Sequence, residues 1–156
     1  MTLARMIVKL DSDQLHLRLQ SILEQQWDVS IPVAGNSMQP LWQHNRDSVV
    51  LKSCERHELK KGDVVLYRRS TGQIVLHRIV KINQESYDLC GDAQVDIERN
   101  LPKSCVLAVM VEFYRKGKRY SSRQPLYRMY SLIWGWLRPL RRAAINAVRY
   151  RRRFSS

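Results

Sequence analysis

The stretch Gly62-Asp63-Val64-Val65-Leu66-Tyr67-Arg68-Arg69-Ser70-Thr71-Gly72-Gln73-Ile74-Val75-Leu76-His77-Arg78-Ile79-Val80-Lys81-Ile82 decides the fold. Two runs rich in β-branched and aromatic residues, Asp63 to Tyr67 and Gln73 to Ile82, flank the turn signal Ser70-Thr71-Gly72 and predict a hairpin. Working outward, similar short runs occur at Val29 to Ala34, Ser48 to Lys52, Ser86 to Cys90 and Cys105 to Tyr114, with further turns at Lys61-Gly62-Asp63 and Asn83-Gln84-Glu85. Six short strands with tight turns and no long helix between them favour a mainly β fold, a small antiparallel domain, over a parallel α/β sheet. Ahead of the strands, Leu15, Leu19, Ile22 and Leu23 recur at spacings of three and four, with Asp11 or Ser12 as a cap, and predict a helix to about Gln26. The chain divides into an N-terminal helical segment, 1–28, a β-domain, 29–114, and a tail, 115–156.

Charge separates the tail from the rest. The chain has 156 residues, enough for one compact domain with appendages, and a composition of 44% hydrophobic and 26% charged residues excludes a disordered or collagen-like polymer. All 14 acidic residues lie between Asp11 and Glu112, and 14 of the 27 basic residues fall in the first 114 positions, so that stretch is neutral by formal count. From Arg115 onward there are 13 basic residues and no acid, a pattern that suits an anionic surface, either lipid or nucleic acid.

Three cysteines, Cys54, Cys90 and Cys105, with no C-x-x-C pair argue against a zinc site or a disulfide scaffold and read as reduced thiols. Arg5, Lys9 and Asp11 interrupt the N-terminus before an apolar run of signal-peptide length forms. The longest uncharged stretch of the tail, Met129 to Leu137, falls far short of the roughly 20 apolar residues that span a bilayer. These features lead to the expectation of no transmembrane span.

A serine hydroxyl needs a base within hydrogen-bond reach and a donor for the oxyanion before it can act as a nucleophile. Ala34-Gly35-Asn36-Ser37-Met38-Gln39-Pro40-Leu41 ends one predicted strand, and is followed in order by Arg46-Asp47-Ser48-Val49-Val50, Gly62-Asp63-Val64-Val65-Leu66-Tyr67, Leu76-His77-Arg78-Ile79-Val80 and Gly91-Asp92-Ala93. This succession, over about Val33 to Phe113, resembles the signal peptidase superfamily: a G-x-S-M-x-P-x-L box, a D-x-V-x-V strand, a G-D-V-V strand, a base-bearing strand and a G-D box. Within that superfamily the base is lysine in most bacterial signal peptidases and histidine, in a strand ending His-Arg, in the archaeal and endoplasmic-reticulum type. His77-Arg78, forty residues after Ser37, looks like the histidine branch.

The resemblance implies a serine endopeptidase with Ser37 as nucleophile and His77 as general base. A carboxylate orients the imidazole: Asp92 matches the family's G-D aspartate, and the second family acid falls where this chain offers Asp96 or Glu98. The Ser37 N–H is one oxyanion donor, with Asn36 or another amide as the second. Gly35 lets a substrate strand approach closely, and Met38 and Pro40 shape the turn and pocket. The implied substrate is a leader or signal segment lying as an added strand. No cofactor or metal is expected.

Each residue also has a plainer reading. Ser37 can be a turn residue, His77 a core histidine sharing a strand face with Val75 and Ile79, and Asp92 half of a Gly-Asp turn. His16, His44 and His57 read as surface residues, and Lys81, on the His77 side of its strand, could serve a Ser-Lys dyad. Two other functions compete: a non-catalytic leader-peptide-binding module, and a LexA-type self-cleaving regulator, although neither a DNA-reading domain nor a cleavage segment precedes Ser37.

In the tail, Ile133, Leu137, Leu140, Ala144 and Val148 fall in one helical sector, and Arg138, Arg142, Arg149 and Arg153 nearly opposite. Pro139 should kink this helix or begin a second one. Trp134 and Trp136 beside Arg138 and Arg142 suit the lipid headgroup boundary, so a membrane-surface anchor is expected ahead of a helix packed on the domain, and nucleic acid is the least favoured partner. With no anchor ahead of the domain, the expected location is cytoplasmic or peripheral on the inner membrane surface.

Overall fold

The computed structural model describes residues 12–55, 58–141 and 143. Its centre is one antiparallel sheet of eight strands: β1 (Val29–Pro32), β2 (Ser48–Lys52), β3 (Val64–Arg68), β4 (Ile74–Ile82), β5 (Ser86–Cys90), β6 (Glu98–Pro102), β7 (Val106–Arg115) and β8 (Lys118–Ser121). The order across the sheet is β1-β2-β7-β3-β4-β5-β6, with β8 paired to the far end of β7. Helix α1 (Ser12–Glu24) precedes the sheet and α2 (Pro125–Trp136) follows it. The mainly β antiparallel reading and both flanking helices therefore hold. The expected caps Asp11 and Ser12 lie at or beyond the edge of the residues whose side chains are described.

Both faces of β3 are covered, which accounts for its unbroken apolar run. Val64 and Leu66 join α1's Leu19 and Leu23 in a core with Trp42, Met110 and Phe113, while Val65 and Tyr67 face a second core with Ile79, Tyr87 and Leu89. In the β3–β4 register Val65 lies opposite His77 and Val64 opposite Arg78. Directly opposed side chains share a face. His77 is thereby committed to the Tyr67 side and Arg78 to the side later covered by α2.

Two strands were not legible as strands. Glu98–Pro102 carries Arg, Asn and Pro, yet it pairs with β5 at the sheet edge, where proline is tolerated. Lys118–Ser121 looks like the start of the basic tail, but Lys116 and Gly117, both at positive φ, make a two-residue hairpin that returns the chain along β7. The β-domain therefore runs seven residues past Tyr114, to Ser121. The tail breaks as Pro139 suggests: α2 ends at Trp136, Leu137 is a turn, and a new helical turn begins at Arg138.

Candidate active site

Ser37 lies in the turn that joins β1 to β2. Gly35 enters that turn with φ of +76°, open space around its absent Cβ, and its N–H donated to His44 Nδ1 at 2.9 Å. Asn36 is exposed and ties the turn locally, its Oδ1 accepting from Gln39 Nε2 at 3.0 Å. Met38 points into the core, 2% exposed, so its expected contribution to a substrate pocket is corrected to anchoring the turn from beneath. Pro40 follows a cis peptide bond and is exposed. The far end of the loop is held by buried Asp47, whose carboxylate accepts from Gln43 N, both sides of the Arg46 guanidinium and Lys116 N.

Gly91 brings this turn to the sheet. The Ser37 carbonyl accepts from Ala93 N–H at 2.8 Å, and a Cβ on Gly91 would stand 2.6 Å from Ser37 O and 3.0 Å from Ser37 Cβ. Arg78 pairs with Cys90 across β4 and β5, so the next residue, Gly91, continues the chain to the level of His77. The Ser37 turn thus packs on the segment beside the histidine. No hydrogen bond joins Ser37 Oγ to the His77 ring among the described residues.

The His77 ring is 1% exposed. Its Nδ1 lies 2.9 Å from the Tyr67 hydroxyl, and that hydroxyl donates to Glu98 Oε1 at 2.7 Å. A phenol has one proton, and here it is donated in the hydrogen bond to Glu98, so the phenol oxygen is the acceptor toward Nδ1. This leaves the Nε2 lone pair for chemistry. Glu98 Oε1 is also 3.4 Å from Nδ1, and Arg69 holds the same carboxylate through Nε at 2.9 Å and through a second contact from Nη2.

Burial pushes the His77 pKa down to about 4; Glu98 opposes this, and nearby Arg69 adds to it. Burial also raises the Glu98 carboxyl, but hydrogen bonds from Arg69 and Tyr67 outweigh it and leave that group below its ordinary range. At neutral pH the arrangement is an uncharged imidazole, a protonated phenol and a carboxylate.

Of the three carboxylates offered for the place beside the imidazole, Asp92, Asp96 and Glu98, the structure brings Glu98 there. Asp92 is 3% exposed and accepts a bidentate pair from Arg78, Nε to Oδ1 at 2.8 Å and Nη2 to Oδ2 at 2.7 Å, so it reaches His77 only through space. Asp96 is exposed, and its backbone carbonyl receives the Cys90 thiol at 3.2 Å. Glu98, on the strand that sequence missed, makes the contact. Tyr67 and Arg69 were also missed as site residues; their signal is the two-residue step on β3 that returns Tyr67 to the face of Val65.

Lys81 does not share the site: a bulge between Ile79 and Lys81 breaks the β4 register, and Lys81 is exposed. His44 is exposed, His16 is half-buried beside a cavity of about 350 Å³ that it lines with Leu23, Cys54 and Ser104, and His57 lies outside the described residues.

Helix α2 covers the Arg78 side. Arg78 Nη1 donates to Gly62 O at 2.8 Å and Ser131 Oγ at 2.8 Å, and its guanidinium lies over the Tyr127 ring. Trp134, expected at a lipid boundary, instead donates its indole N–H to Asp92 O at 3.1 Å and stacks between Tyr130 and Arg141. Arg138 is half-buried, Trp136 is 78% exposed, and Arg142 lies outside the described residues. No described helix is long and apolar enough to cross a membrane. Compared with protein-family profiles, curated proteins and solved structures, the chain matches none of them.

Proposed function

We propose that the protein is a serine endopeptidase that cuts an extended leader or signal segment by acyl transfer through Ser37 and His77. The observation that carries this reading is the buried chain of contacts from His77 Nδ1 to the Tyr67 hydroxyl and on to Glu98: with the phenol proton donated to Glu98, Nδ1–H faces Tyr67 and Nε2 is left as the acceptor. In the proposed reaction Ser37 Oγ bonds to the scissile carbonyl carbon while its proton passes to Nε2. Collapse of the tetrahedral intermediate breaks the C–N bond, and the leaving amine takes that proton. Water, activated by the same nitrogen, then releases the acyl group. Glu98, through Tyr67, opposes the cost of the transient imidazolium in a buried place.

A nucleophile–base hydrogen bond is often long before substrate binds and tightens in the complex. Such a reading accommodates the lack of an Oγ to Nε2 bond. Its test is mass spectrometry of a library of extended peptides with small side chains, incubated with the wild-type chain, Ser37→Ala and His77→Gln. Cleavage is expected with wild type alone. Equal cleavage by either variant overturns the mechanism, and no Ser37-dependent cleavage, with peptide still bound, favours the leader-binding module.

A further inference from the structure

We propose that the outer face of α2 docks the protein on an anionic lipid bilayer. The helix has two faces with different commitments. Tyr127, Tyr130, Ser131 and Trp134 face the domain and touch Phe113, Arg78, Gly62 and Asp92. On the other side Leu126, Met129, Leu132, Ile133 and Trp136 stand 70%, 52%, 74%, 50% and 78% exposed. At 100° per residue these five fall within a sector of about 120°, a continuous apolar stripe. Leu140, just past the break, adds a sixth exposed apolar side chain at 64%.

Charge selects the occupant. Arg123 and Arg128 are exposed beside the stripe, and no acidic residue follows Glu112 in the sequence. An apolar stripe with a tryptophan, with exposed Arg123 and Arg128 in the same segment and no acid in it, matches the boundary between acyl chains and anionic headgroups. Nucleic acid fits poorly because the outward side chains are Leu, Met and Ile, which offer phosphates no donors. The inner contacts add a functional consequence. Because Trp134 and Arg141 both reach the Asp92 carbonyl, the segment that supports the Ser37 turn lies directly beneath the docking helix. This inference stands on the two faces of α2 and does not require the peptidase reading.

The test is co-sedimentation of the full chain with vesicles of phosphatidylcholine alone and of equimolar phosphatidylcholine and phosphatidylglycerol. Binding is expected to the anionic vesicles and at least about tenfold weaker to the neutral ones, as expected for several basic residues near the surface. Leu132→Ser with Trp136→Ser should lower the anionic partition at least about tenfold, given the area that two such side chains bury. Arg123→Glu with Arg128→Glu provides an independent loss that leaves the apolar stripe intact. Equal partition to both vesicles, or unchanged partition in both double variants, overturns the proposal. So does a concentration-dependent dimer, or duplex DNA binding, that the Leu132/Trp136 variant abolishes while vesicle binding is unaffected.

Discussion

His77 Nδ1 meets the Tyr67 hydroxyl at 2.9 Å, and the same hydroxyl donates to Glu98, so one phenol fixes which imidazole nitrogen carries the proton. Tyr67→Phe removes the acceptor and leaves the ring free to exchange tautomers. Loss of a hydrogen bond to a group that becomes charged costs about 1.5–3 kcal/mol, which corresponds to a rate about 10–100-fold lower. Glu98→Gln removes the charge that raises the His77 pKa, so the acid limb of the kcat/KM profile should move below its wild-type position near pH 4. A limb at pH 6 to 7 in the wild type, or an unmoved limb in Glu98→Gln, contradicts this relay.

Burial of a neutral histidine also makes stability depend on pH. Its folded pKa is about 4 against 6.5 for the ordinary group, so between those values the unfolded chain binds a proton that the native chain refuses. Stability is fully present above about pH 6.5 and declines as pH falls. The loss reaches about 2 kcal/mol by pH 5 and about 3 kcal/mol by pH 4. Glu98 and Asp47, held below their usual range, add their own losses only at lower pH. Urea unfolding at pH 7 and pH 5 measures the difference, and His77→Gln should abolish most of it.

The hairpin from Asp63 to Ile82 was legible because β-branched periodicity and a glycine turn agree locally with the sheet. The site was only half legible. The turn that carries Ser37 and the strand that carries His77 follow from local pattern, but the choice of Glu98 over Asp92 and Asp96 depends on a long-range pairing that sequence does not encode in any local way. Glu98 joins His77 only because β6 pairs with β5, and β6, with its Arg, Asn and Pro, has a poor strand signal. The membrane assignment of Trp134 failed for a related reason. Helical periodicity separates faces, yet it cannot say which face a neighbouring domain will take, and here the aromatic side met Arg78 and Asp92.

Gly91 and Gly35 flank Ser37 for different reasons, and substitution should separate them. A methyl at Gly91 collides with Ser37 backbone 2.6 Å away, which a side-chain rotation cannot relieve. Gly91→Ala should cost about 1–3 kcal/mol of stability and displace Ser37, which under the proposed mechanism lowers cleavage on the order of 100-fold. Gly35→Ala meets open space and incurs only the left-handed backbone penalty of about 1–2 kcal/mol. Thermal denaturation beside peptide cleavage distinguishes the two; a fully active Gly91→Ala would show that the Ser37 turn need not sit where it does.

Asp92 and Glu98 should behave as carboxylates with separate duties. The Arg78 guanidinium is 3% exposed and spends its donors on Asp92, Gly62, Tyr127 and Ser131, so Asp92→Ala leaves a buried cation without its anion. Breaking one side of such a pair costs about 3–5 kcal/mol. Because the same guanidinium holds Ser131 and Tyr127, α2 should loosen with it, visible as faster amide exchange over 125–136. Glu98 is itself half-buried, as is its Arg69 partner, and a glutamine can still accept from Tyr67, so Glu98→Gln should lower stability far less while lowering the rate. Chemical denaturation and cleavage measured on both variants decide the matter: if Asp92→Ala folds as stably as wild type but is inactive, Asp92 belongs to the chemistry and the assignment of Glu98 as the orienting acid fails.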